Sequence, residues 1–96
     1  MSPAKVRRDR VRRLSDLPNV GPAMSRDFEL LGIRTPLQLR GTDPLALYQR
    51  LCRKTGVRQD PCVLDTFISV TRFMDGEPPQ PWWAYTAERK RRYGAI

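Results

Sequence analysis

The stretch Leu17-Pro18-Asn19-Val20-Gly21-Pro22-Ala23-Met24-Ser25-Arg26-Asp27-Phe28-Glu29-Leu30-Leu31-Gly32-Ile33 decides the fold, because it reads as a tight hairpin running straight into an amphipathic helix. Asn19 is, after glycine, the residue most at ease at positive φ, and Gly21 has no Cβ. Pro22 suits the first helical position, where its missing N–H would have had no partner anyway. The free N–H groups around Val20 and Gly21 then face outward at the positive end of a helix dipole, a ready site for an anion. The alternative is a corner between helices that only packs.

This stretch resembles a helix-hairpin-helix DNA-binding element. The usual hairpin has glycine, an aliphatic residue, a second glycine and, four positions later, a small residue. Those places here hold Asn19, Val20, Gly21 and Ser25. The first glycine is therefore replaced by Asn19, and the usual alanine by Ser25. The resemblance implies an all-α fold, a SAM-like bundle of about five short helices, with the hairpin held against DNA phosphates.

Proline and glycine punctuate the rest of the chain. Prolines fall where helices should start, at Pro22, Pro36, Pro44, Pro61 and Pro81, and Thr35, Asp43 and Asp60 stand ready to cap three of those starts. Gly32, Gly41, Gly56 and Gly76 stand where helices should end in a left-handed residue. The pattern predicts a short helix over 14–17, helices over 22–31, 44–55 and 61–74, and a single turn over 36–39. Leu47, Tyr48, Leu51 and Cys52 share one face of the third of these. Val63, Leu64, Phe67, Ile68, Val70, Thr71 and Met74 form a broad stripe on the last. Gly56-Val57-Arg58-Gln59-Asp60-Pro61 reads as a degenerate second hairpin, structural more than phosphate-binding.

The net charge of +8 lies wholly in the ends. Residues 1–13 hold Lys5, Arg7, Arg8, Arg10, Arg12 and Arg13 against Asp9, and residues 88–96 hold Arg89, Lys90, Arg91 and Arg92 against Glu88. Such clusters neutralise phosphates and release counterions without reading sequence, or else they simply solvate the ends. The division expected is a basic arm over 1–13, a helical domain over 14–75, and over 76–96 a proline-rich linker, a tryptophan pair and a basic tail. Of Trp82 and Trp83, one is expected to pack on the small core and the other to lie nearer the surface.

Histidine is absent, which removes the commonest general base and the commonest neutral metal ligand. Two cysteines cannot complete a structural zinc site. Neither catalysis, a metal nor a cofactor is expected. Cys62, in a first helical turn near Arg58, could be a reactive thiolate, but Cys52 and Cys62 read better as small buried hydrophobes. No apolar run is long enough to cross a bilayer and no secretory signal opens the chain, so a cytoplasmic monomer is the expectation.

From Leu14 to the tryptophan pair the chain resembles a small bacterial family of pathogenicity-locus and mitomycin-resistance-like proteins. The likeness is carried by Leu17 to Pro22, Leu31-Gly32-Ile33, Asp43-Pro44, Leu51-Cys52 and the long block Gly56 to Asp65. In element layout alone it is also similar to the C-terminal domain of TfoX-type competence regulators. The resemblance implies a role around DNA. The function expected is sequence-nonspecific binding of duplex DNA, with a protein-interaction module as the rival. At the hairpin the contacts expected are Asn19, Val20, Gly21, Ala23 and Arg26. In the arm they are Arg7, Arg8, Arg10, Arg12 and Arg13, and in the tail Arg89, Lys90, Arg91 and Arg92.

Overall fold

Each of the five punctuating prolines opens an element: Pro22, Pro36, Pro44 and Pro61 are first residues, and Pro81 immediately precedes one. The structure, a computed structural model, describes residues 2–94; Met1, Ala95 and Ile96, at the outer ends of the expected arm and tail, lie outside the described residues. Helix α1 spans Pro22–Leu30, α2 Pro44–Thr55, α3 Pro61–Met74 and α4 Thr86–Tyr93. Single 3-10 turns lie at Pro3–Lys5, Arg8–Arg10, Leu14–Asp16, Pro36–Leu39 and Trp82–Tyr85, and no strand occurs among the described residues. The chain is all-α.

Local chemistry accounts for the boundaries. The Asp43 carboxylate accepts the Leu45 N–H at 3.0 Å, and the Asp60 carboxylate accepts the Cys62 N–H at 2.9 Å, so α2 and α3 begin where an oxygen meets otherwise orphaned donors. At Thr35 the capping runs the other way: Gln38 Oε1 reaches back to the N–H groups of Arg34 (2.6 Å) and Thr35 (2.9 Å). Gly32, Gly41, Gly56 and Gly76 all take the expected positive φ.

Helix α3 is the axis of the molecule. Every residue from Leu64 to Thr71 is buried, as an axial helix must be when neighbours cover it on all sides. It packs on α2, on α4, and on the 3-10 turns at Pro36–Leu39 and Trp82–Tyr85. Phe28, Leu39, Leu47, Leu51, Leu64, Phe67 and Phe73 fill the space between, with the rings of Phe28 and Phe67 5.5 Å apart. The hydroxyls of this buried helix donate locally: Thr71 Oγ1 to Phe67 O at 2.9 Å and Ser69 Oγ to Thr66 O at 2.6 Å.

Both ends fold back onto this core, which composition did not foretell. In the arm, Val6 and Val11 pack against the core, and the Arg8 guanidinium lies 4.0 Å from the Phe73 ring centroid while donating to Phe73 O and Glu77 O. At the other end the basic segment is helical, forming α4. Its buried Arg89 donates Nε to Asp65 Oδ1 at 2.8 Å, and Thr86 Oγ1 donates to Asp65 Oδ2 at 2.8 Å. Asp65 is fully buried. Of the tryptophans, Trp82 is half-buried and Trp83 exposed.

Candidate nucleic-acid interface

Asn19 adopts φ 68°, the left-handed conformation its side chain tolerates, and so reverses the chain ahead of α1. Its side chain is directed into the fold. Nδ2 donates to Ser69 Oγ and to Gln80 O, both at 2.9 Å, and Oδ1 accepts the Trp82 N–H at 3.1 Å. Any phosphate contact at Asn19 must therefore use its main chain. Val20 sends its side chain into the core and its N–H to Leu17 O at 3.4 Å, so, against expectation, it offers a phosphate no free donor.

Gly21 caps α1 with φ −103° and ψ −172°, extended backbone that any residue can adopt. A Cβ built on it would meet nothing within 4 Å. Neither conformation nor internal packing requires glycine here, and the space its missing side chain leaves is open to the outside. The N–H groups of Gly21, Ala23 and Met24 make no hydrogen bond to an acceptor among the described residues, since a first helical turn has none to offer. The capping carbonyl of Gly21 accepts Ser25 N–H at 3.0 Å.

The arm forms the opposite wall. Asn19, Val20 and Gly21 line a cleft of about 680 Å³ together with Lys5, Arg7 and Arg10 from the arm and Asp16 from the turn before the hairpin. Three cations thus face one carboxylate. The Asp16 carboxylate is already engaged, accepting the N–H groups of Arg13 (2.9 Å) and Arg12 (3.0 Å), which holds its pKa below the ordinary value. Arg7 also meets Asp9 at 3.2 Å, but both side chains are mostly in water, where such a pair is worth little and leaves the guanidinium available.

The remaining expected contacts scatter. Arg26 is exposed on α1, outside the cleft. Arg12 turns back to donate to Asp9 O at 3.0 Å, Arg13 is exposed, and Arg8 is pinned on Phe73. In α4, Lys90 and Arg91 are exposed, while Arg92 lies 3.5 Å from Glu88 and 5.4 Å from the Tyr93 ring centroid. Arg89 is the clear correction: with its side chain 10% accessible and bonded to Asp65, it has no free face for a phosphate. Burial pushes the Glu88 carboxyl up, but hydrogen bonds and charge from Arg72 and Arg92 outweigh burial and hold it below its usual value. Lys5 was missing from the expected contacts, and no local signal distinguished it from its neighbours.

The loop between α2 and α3 is tied to α2. Tyr48 OH donates to Gln59 O, Gln59 N–H donates to Cys52 Sγ at 3.4 Å, and Gln59 Nε2 to Thr55 Oγ1 at 3.0 Å. Cys52 and Cys62 are half-buried free thiols. Burial, and then the neighbouring Asp60, push the Cys62 thiol above its ordinary pKa, so the helix N-terminus does not make it a thiolate. Among the described residues no group of three or more His, Cys, Asp or Glu side chains could hold a metal. No helix among them is long and apolar enough to cross a membrane.

The chain belongs to the Pathogenicity locus family, which it matches over residues 7–91, a span that takes in the hairpin, the tryptophan pair and most of α4. It is 49% identical over 78 residues to the protein named Mitomycin resistance protein McrB of Streptomyces lavendulae, with 81% of this chain and 74% of the other covered. No solved structure matches it. The resemblance to pathogenicity-locus and mitomycin-resistance-like proteins therefore holds. None of these findings bears on the TfoX-type regulators.

Proposed function

We propose that this chain is an accessory DNA-binding protein that holds the phosphate backbone in the cleft between its basic arm and a helix-hairpin-helix element built on Asn19-Val20-Gly21. One observation carries the reading: Gly21 is a glycine that its own fold does not require, at the mouth of a cleft lined by Lys5, Arg7 and Arg10. A missing Cβ beside unpaired N–H groups suits the close approach of an anionic oxygen. The hairpin side chains face inward, so the cleft presents backbone and cations, which suit contacts that position a duplex without reading bases.

The test is a titration of unrelated duplexes at two salt concentrations. Binding should weaken steeply with salt and differ little between sequences. A preference above about tenfold among random duplexes would overturn it. The competing reading, a protein-interaction module, draws on the exposed aliphatic residues Leu30, Leu37 and Val57, and takes over if neither duplex nor single-stranded DNA binds at low salt.

A further inference from the structure

The tryptophan pair belongs to the hairpin as much as to the C-terminal segment. Asn19, which lines the cleft with its backbone and reverses the chain there, also holds the Trp82 N–H on its side chain at 3.1 Å and the Gln80 carbonyl at 2.9 Å. The next residue is Trp83. Its ring stands edge-to-face against Trp82, centroids 5.5 Å apart and planes at 85°, while 59% of the residue remains exposed. A large aromatic is thus braced by a half-buried neighbour and left open to solvent, one residue from an amide bonded to the phosphate-facing hairpin. The other large exposed hydrophobic residues, Leu30, Leu37 and Val57, are aliphatic and none shares this bond to the hairpin.

We infer that Trp83 is a stacking platform for an unpaired base of a DNA strand whose phosphates occupy the neighbouring cleft. The inference rests on the DNA-binding reading above and sharpens its substrate class to single-stranded or partly unpaired DNA. The choice follows from the chemistry of the two halves. An exposed indole gains from a base only when that base offers a free π face, and in an intact duplex each base is already stacked on its neighbours. The cations of the cleft, which Asn19 ties to this segment, match the strand's phosphates and give an apolar peptide or a lipid tail nothing to pair with.

The experiment compares oligothymidylate with a duplex of equal length, using the full chain and Trp83→Ala, with Trp83→Phe as the variant that keeps a stacking face. The parent should bind the single strand at least as tightly as the duplex. Trp83→Ala should lower the ratio of single-strand to duplex affinity about tenfold, and Trp83→Phe should recover most of it. In a Trp82→Phe background, where Trp83 is the only indole, oligothymidylate should quench its fluorescence and the duplex should not. Duplex binding with a ratio unmoved by Trp83→Ala overturns this inference and leaves the cleft reading standing. Failure of both DNAs to bind overturns the two together.

Discussion

The Oδ1 of Asn19 accepts the main-chain N–H of Trp82 across 63 residues of sequence, at 3.1 Å. With the two bonds its Nδ2 makes to Ser69 and Gln80, that side chain joins the hairpin, helix α3 and the C-terminal segment at one point. The left-handed position of the turn is therefore filled by a residue that combines an easy left-handed backbone with a side chain able to donate and accept at once.

Asn19→Gly, which on sequence pattern alone relieves a strained φ, is expected to destabilise the protein. Three hydrogen bonds at about 0.5–1.5 kcal/mol each outweigh the few tenths gained at positive φ, for a net loss of about 1–4 kcal/mol. Urea unfolding of the variant reads this directly; stability equal to the parent would show that the three bonds contribute nothing.

Gly21→Val is the complementary probe. Because φ is ordinary and a Cβ meets open space, the variant should fold, losing at most about 1 kcal/mol from a poorer helix cap. Duplex affinity should nonetheless fall several-fold at low salt, because the new side chain occupies the approach to the free N–H groups. A folded Gly21→Val that binds like the parent reduces the hairpin to a packing corner.

Removing the Arg89 side chain leaves the carboxylate of Asp65 buried without its partner, and Arg89→Ala should cost about 3 kcal/mol or more. Lys90→Ala and Arg91→Ala, at exposed positions of the same helix, should cost under about 0.5 kcal/mol. Thermal unfolding of the three variants side by side gives the comparison. If Arg89→Ala matches its neighbours, the ion pair is not formed in solution.

Deleting residues 2–12 should lower stability as well as DNA affinity, since it removes Val6, Val11 and the Arg8 guanidinium from the core surface. Arg8→Ala alone should cost about 1 kcal/mol, combining an exposed cation–π contact with two hydrogen bonds to carbonyls. Helical content by circular dichroism and the urea midpoint, measured together, distinguish this from a free arm, whose loss would leave the midpoint unmoved.

Cys62 should alkylate more slowly at neutral pH than an unperturbed cysteine. Its raised pKa means less thiolate below the folded value, and reactivity should climb only as pH rises past the ordinary thiol range. Asp60→Asn keeps an oxygen to cap Cys62 N–H but removes the nearby negative charge, so alkylation of Cys62, followed by peptide mass spectrometry, should speed up. An unchanged rate would remove Asp60 from the account.

Helix starts and ends were legible because their causes lie within four residues of themselves. Pro44 and Pro61 preceded by aspartates, and Gly32 and Gly56 after apolar faces, mark α1, α2 and α3 to within a residue. Helix α4 was missed although it too had local signals: Glu88 near its start, Lys90, Arg91 and Arg92 in its last turn and Gly94 after it. Its charge pattern suits phosphate contacts in a tail as well as a helix, and the helical signal lies in Tyr85, Arg89 and Tyr93, four residues apart along one face.

What the sequence by itself determined was the all-helical class, the boundaries of α1, α2 and α3 and the hairpin turn, since backbone preference and capping act between near neighbours. Only the tertiary structure decided which polar groups remain free. Arg89 and Arg91 are chemically identical in the sequence, yet Asp65, 24 residues before Arg89, takes that guanidinium out of water while Arg91 stays in it. The Asn19 side chain serves as an internal clasp for the same reason, its partners lying 50 to 63 residues away. A long-range hydrogen bond leaves no periodic trace in a chain, because it depends on where two segments meet and not on what either prefers alone.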